Sequence, residues 1–197
     1  MHELIAVENV SLDGVMQSPG RPDEDTSGGL EHGGRASSRL AEDGEAVEAA
    51  MGGQGETAGL VFGHRTYDDL VGHWLDMEDP NPVADILRAT PRHVASCNTS
   101  ARLRHPNSHL LGGEAAQTVA QLKASGEGDL ILLGSCSLLH ALQEADLVDG
   151  YILSVLPVVL GGGQPLFSGR GVYADMTLLR STTSARGTFV GEYRRSR

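Results

Sequence analysis

Apolar runs closed by glycine turns set the rhythm of this chain. Leu130 to Leu133 is unbroken apolar sequence, which predicts a strand buried on both faces of a parallel sheet. Gly134 ends the run, and Ser135, Cys136 and Ser137 follow as small residues able to cap a helix. Leu138, Leu139 and Leu142 then give that helix one apolar face. A strand, a glycine turn and a helix N-terminus leave unpaired N–H groups and a positive dipole end at one spot. Such a spot suits an anion, most often a phosphate. An ordinary strand-to-helix turn without a ligand is the other reading.

The same logic runs through the rest of the chain. Leu4 to Leu12 predicts a first strand, with Ile5, Val7 and Val10 inward, ending in Ser11-Leu12-Asp13-Gly14. Asp13 then stands at a strand's carboxyl end, where open α/β sheets bind ligands, or serves only as a turn-former bonding its own backbone. Gln17 to Arg35 is a long loop rich in Gly, Pro and acid, and His32 is its best-placed imidazole for a substrate contact. Ser37 or Ser38 caps a predicted helix to Met51, with Leu40, Val47 and Met51 on one face and Glu42, Glu45 and Glu48 exposed. Gly53-Gln54-Gly55-Glu56-Thr57-Ala58 looks like a dinucleotide fingerprint, but it follows a helix and precedes a strand, so it reads as a linker.

A second phosphate-shaped turn comes after the strand Gly59 to Phe62. There Gly63, His64, Arg65 and Thr66 place a glycine, two potential cations and a hydroxyl at the start of a helix. Pro80 to Pro82 marks a loop, Val83 to Ala89 a short helix, and Arg92 to Ser96 and Ser108 to Leu111 two further strands. His105 and His109 have metal-ligand spacing, but Pro106 between them argues against a helix, and no metal is expected. Glu114 to Ala124 predicts a helix with Val119 and Leu122 inward. Tyr151 to Leu160 is β-branched and interrupted by a proline; Met176 to Thr183 and Gly187 to Arg194 form a closing hairpin. Four β-then-α units followed by consecutive strands describe one α/β domain over residues 1–197, its sheet mostly parallel with an antiparallel edge.

Charge and composition narrow the partners. A net charge of −11 without a basic stripe disfavours nucleic acid. Lys123 is the only lysine and falls in a predicted surface helix, so Schiff-base and P-loop chemistry are set aside. Cys97 and Cys136 lie far apart in sequence, which fits a reducing compartment, and no apolar run approaches a membrane span. A cytoplasmic protein that meets neither nucleic acid nor membrane is expected.

Taken in order, VSLDGVMQSPG, GHRTYDDL, LILLGSCSLLHAL and DLVDGYILSVLPVVLGGGQPLF resemble the dihydrofolate-reductase-like family, and within it the reductase domain of bacterial riboflavin biosynthesis. The resemblance implies a three-layer αβα fold that binds NADPH across the carboxyl ends of its parallel strands. It places Gly63, His64, Arg65 and Thr66 at the cofactor phosphates, Ser96 on the adenosine side, and Gly134, Ser135, Cys136, Ser137 and Leu138 at the pyrophosphate. Either His64 or Arg65 would meet the 2′-phosphate. Asp13 and Gly14 would lie near the nicotinamide and substrate, with Asp13 orienting the substrate or relaying a proton. Arg35 stands where relatives often carry a tryptophan, and would meet a substrate phosphate or carboxylate. The implied activity is NADPH-dependent hydride transfer to a small nitrogen heterocycle of pterin, flavin-precursor or pyrimidine type. A non-catalytic nucleotide binder on the same fold is the alternative. A homodimer joined through the region after Tyr151 is also expected.

Overall fold

A computed structural model describes residues 1–52, 56–78 and 81–196; the linker reading of 53–55 and the loop mark at Pro80 lie outside them. In chain order the elements are β1 (Glu3–Ser11), α1 (Arg35–Leu40), α2 (Gly44–Met51), β2 (Thr57–Gly63), α3 (His64–Thr66), a π-helical stretch (Tyr67–Val71), α4 (Gly72–Leu75) and α5 (Pro82–Ala89). There follow β3 (Arg92–Ser96), β4 (Ser108–Gly112), α6 (Ala115–Ala124), β5 (Asp129–Leu132), α7 (Cys136–Glu144), β6 (Gly150–Leu156), β7 (Met176–Thr183) and β8 (Phe189–Arg195). The eight strands form one mixed sheet in the order β4-β3-β2-β5-β1-β6-β8-β7. Its β4-to-β1 part is parallel, and the β6-β8-β7 part is antiparallel. Among the described residues no helix is long and apolar enough to cross a membrane.

The chain divides into two compact units. The first comprises residues 1–6 and 55–148. Here β5 lies between β1 and β2, paired in parallel with both. That placement is why Leu130, Ile131 and Leu132 can be continuously apolar: each is 3 % exposed or less. Leu138, Leu139 and Leu142 of α7 are buried as their spacing predicted, and each such side chain contributes roughly 1.5–3 kcal/mol by leaving water. Lys123 departs from expectation. It is 5 % exposed, not on the surface, and its Nζ donates to the Leu147 carbonyl at 2.6 Å. Arg92 is likewise buried, with its Nε donating to Ser108 Oγ at 3.1 Å and its Nη2 to the Pro106 carbonyl. His109 lies in β4, stacked on its register partner His93, whereas His105 belongs to the preceding loop and packs edge-on to Tyr67.

The second unit comprises residues 7–54 and 149–197. The helix expected from Ser37 or Ser38 to Met51 is two helices. Asp43 caps the second, its carboxylate accepting from the Ala46 amide at 3.3 Å. Ala46 is the buried residue of α2, while Met51 is 51 % exposed, because the break turns the predicted apolar face out of register. Asp43 is buried too, accepting from Ser184 Oγ at 2.7 Å and Thr188 Oγ1 at 2.8 Å, so it ties the β7–β8 turn to the start of α2. β6 stops at Leu156, before Pro157, and lies inside the sheet between β1 and β8. In this unit the outer strand is β7, where Leu178 and Leu179 are exposed. In β1, Val7 is half-buried, whereas Leu4, Ile5 and Ala6 are fully buried, a run that strict alternation did not anticipate.

Candidate functional site

In the first unit, the parallel register sets the carboxyl ends of β5, β2 and β3 side by side, pairing Val61 with Leu132 and Gly63 with Ala95. This brings the two predicted phosphate turns together. The Gly63 amide donates to the Gly134 carbonyl at 3.4 Å. A Cβ at Gly63 would stand 2.6 Å from Ser135 Oγ, so any larger residue there would force the serine hydroxyl to move. Gly134 has φ +62°, and a Cβ on it would meet Thr66 Cγ2 at 3.4 Å. The Gly134–Ser135 peptide is cis. Ser96 ends β3, one strand beyond Gly63, and its hydroxyl accepts from the Asn98 amide at 3.2 Å.

Ser135 caps α7 as its sequence position suggested, its Oγ accepting from the Leu138 amide at 3.4 Å and lying 3.1 Å from Ser137 Oγ. That arrangement changes the expectation for Leu138. Its side chain is 5 % exposed and its amide donates to the capping hydroxyl, so what it offers at this turn is backbone. Ser137 is exposed and Cys136 half-buried in the same first turn. After Gly63, His64, Arg65, Asp68 and Asp69 line one open depression. His64 Nε2 lies 3.7 Å from Asp68 Oδ2. The two acids were passed over in the sequence, although the i,i+4 spacing of His64 and Asp68 is legible there.

The second unit holds the other candidates. The Asp13 carboxylate accepts from Ser11 Oγ at 2.6 Å, from the Leu160 amide at 3.1 Å and from the Gly161 amide at 2.8 Å. The Ser11 hydroxyl, then the Gly161 and Leu160 amides, lower its pKa from 3.8 to about 2. Asp13 is therefore ionised at neutral pH and clamps the 160–161 backbone, which suits orientation and charge better than proton relay. Gly14 takes φ +79°, donating to the Ser11 carbonyl and accepting from the Leu166 amide, which makes it the turn that frames this clamp.

Arg35 is 7 % exposed, not presented to solvent. Its guanidinium donates to the carbonyls of Val15 at 2.7 Å and Gln17 at 2.5 Å, which makes it a clamp on loop backbone. His32 is exposed in the loop before it. Gln17, which the sequence did not single out, organises this loop. It is 1 % exposed; its Nε2 donates to the carbonyls of Asp25 and Ser27, and its Oε1 accepts from the Gln164 amide at 2.9 Å. Nothing in a Gly- and Pro-rich stretch marks one glutamine as a hub; only the fold does.

Comparison with known proteins gives a family and a fold. The RibD C-terminal domain family matches residues 3–190. A curated relative, the uncharacterized protein YyaP of Bacillus subtilis (strain 168), is 25% identical over 130 residues, 65% of this chain and 69% of its own. Among solved structures, a putative riboflavin biosynthesis protein from Shewanella sp. PV-4 superposes with a TM-score of 0.65 at 22% identity, covering 99% of each chain. A dihydrofolate reductase from Enterococcus faecalis, complexed with NADP(H) and RAB-propyl, superposes with a TM-score of 0.58 at 13% identity, covering 99% of this chain and 97% of its own. The fold is thus dihydrofolate-reductase-like, as the sequence motifs implied.

Proposed function

The chain belongs to the RibD C-terminal domain family, and from that premise we propose that it is an NADPH-dependent reductase of a small nitrogen heterocycle of pterin, flavin-precursor or pyrimidine type. Membership supports a reductase-type function. The observation that carries the finer reading is the close approach of Gly63 to Ser135 at the ends of β2 and β5. Glycine at both turns leaves backbone where side chains would otherwise stand, which fits a nucleotide's phosphates. In this reading Gly63 to Thr66 and the first turn of α7 hold the phosphates, and Ser96 lies on the adenosine side.

Bound NADPH supplies the hydride, and the rate gain is mostly one of proximity. The chain's own part is binding and orientation. Asp13 holds the 160–161 backbone and keeps a negative charge there, and Gln17 and Arg35 fasten the 15–34 loop. The reading includes a cytoplasmic setting and a homodimer.

One observation favours the non-catalytic alternative: Asp13 and Arg35 are both engaged in holding loop backbone. A panel of pterins, flavin precursors and pyrimidines, assayed for NADPH oxidation alongside calorimetry with NADPH and NADH, separates the readings. We expect NADPH to bind more tightly, because a charge-assisted contact from His64 or Arg65 to the 2′-phosphate is worth roughly 1.5–3 kcal/mol. Equal affinities would sink the NADPH preference. Tight binding without oxidation across the panel would leave a binder.

A further inference from the structure

The depression after Gly63 has a mixed charge that its motif conceals. Among the described residues that line it, His64 and Arg65 are basic, and Asp68 and Asp69 are acidic. Asp68 sits one helical turn beyond His64 with its Oδ2 3.7 Å from the imidazole, and it is half-exposed. In nucleotide-binding folds a carboxylate suits the ribose 2′-hydroxyl of NAD, whereas a cation suits the 2′-phosphate of NADP. Here both kinds of group share one surface.

Resting on the cofactor reading above, we propose that Asp68 is a specificity-determining residue. Its carboxylate engages His64 and sets a like charge against a ribose 2′-phosphate, so it narrows the preference for NADPH over NADH. Removing one such exposed charge from beside a phosphate changes affinity by about three- to tenfold at low salt, an effect that added salt screens.

The test uses the full chain and its Asp68→Asn and His64→Gln variants. Calorimetry measures NADPH, NADH, adenosine 2′,5′-bisphosphate and adenosine 5′-monophosphate with each. Asp68→Asn should tighten NADPH and the bisphosphate by about three- to tenfold and move NADH and the monophosphate by less than about twofold, with the gain fading near about 0.5 M salt. His64→Gln should weaken the two ligands that carry a 2′-phosphate. Should Asp68→Asn weaken NADPH, or shift NADPH and NADH alike, the proposal is overturned while the cofactor reading stands. A wild-type chain that binds none of the four ligands overturns both. Unchanged unfolding midpoints for the variants exclude a folding artefact.

Discussion

At the residue scale, two clamped carboxylates, Asp13 and Asp43, help decide how the second unit holds its loops. Asp13→Asn keeps the shape but loses the charge that Ser11 and the 160–161 amides stabilise. Because that charge anchors the 160–161 backbone, we expect nucleotide affinity to stay within about twofold while turnover drops about a hundredfold through lost positioning, measured on one purified variant against a working substrate. Wild-type values for both would reduce Asp13 to a turn residue. Because its pKa is lowered from 3.8 to about 2, Asp13 should contribute no limb to the pH–rate profile at neutral or mildly acidic pH. Its contribution to stability is complete above 3.8 and is lost only as pH falls through about 2.

Asp43 obeys the same sign. Its carboxyl is held below the usual value of 3.8, first by the Ser184 hydroxyl and then by Thr188 and the Ala46 amide, against the opposing effect of burial. The stability it lends is therefore present at neutral pH and lost on acidification below the ordinary aspartate range. Asp43→Ala should lower Tm by about 3–6 °C at neutral pH. The gap between variant and wild type should close as the solution is acidified, which scanning calorimetry at several pH values would read. A gap that does not depend on pH would show that the carboxylate's charge is irrelevant to the tie.

At the scale of elements, the strand–glycine–helix unit is where local rules and packing agree. Ser135 caps α7, and the leucines four apart or adjacent bury one face of that helix. Gly63 of β2 must pass within 2.6 Å, counted from a hypothetical Cβ, of the same serine's hydroxyl. Gly63→Ala should therefore cost about 1–3 kcal/mol by overpacking and, if about 1.4 kcal/mol of that falls on the bound state, weaken NADPH about tenfold. Adding Ser135→Gly should restore part of both, since it removes the clashing hydroxyl. Calorimetry and denaturant unfolding of the single and double variants check this; absence of any recovery would mean that the two turns do not meet through that contact.

At the scale of the molecule, assembly turns on the outer strands of the sheet. The apolar stretch YILSVLPVVL supplies an interior strand, so it is not the edge that a partner would cover. Of the two outer strands, β4 and β7, it is β7 that exposes leucines, Leu178 at 47% and Leu179 at 57%. An exposed, partly apolar edge strand is an invitation to pair, and we expect a homodimer by light scattering at micromolar concentration. Leu179→Lys should shift it toward monomer without lowering the unfolding midpoint by more than a few degrees. A wild-type monomer would remove this expectation.

Local sequence by itself determined the elements whose signal is short-range. A short unbroken apolar run closed by a glycine fits a strand buried on both faces, so β5 was legible. Cap, glycine and leucine spacing made α7 legible, and a proline marked where β6 would end. The ordered motifs carried the family and the fold. What only the tertiary structure decided involves partners distant in the chain. Asp43 breaks a helix because Ser184 and Thr188, about 140 residues away, complete its hydrogen bonding. Arg35 and Lys123 look like surface cations in sequence, yet each is buried because backbone carbonyls elsewhere in its unit accept its protons. Propensity and spacing register neighbours within a turn or two. They carry no information about which carbonyl, hydroxyl or amide the folded chain will deliver to a charge, and that delivery decides whether the charge faces a ligand or holds the fold.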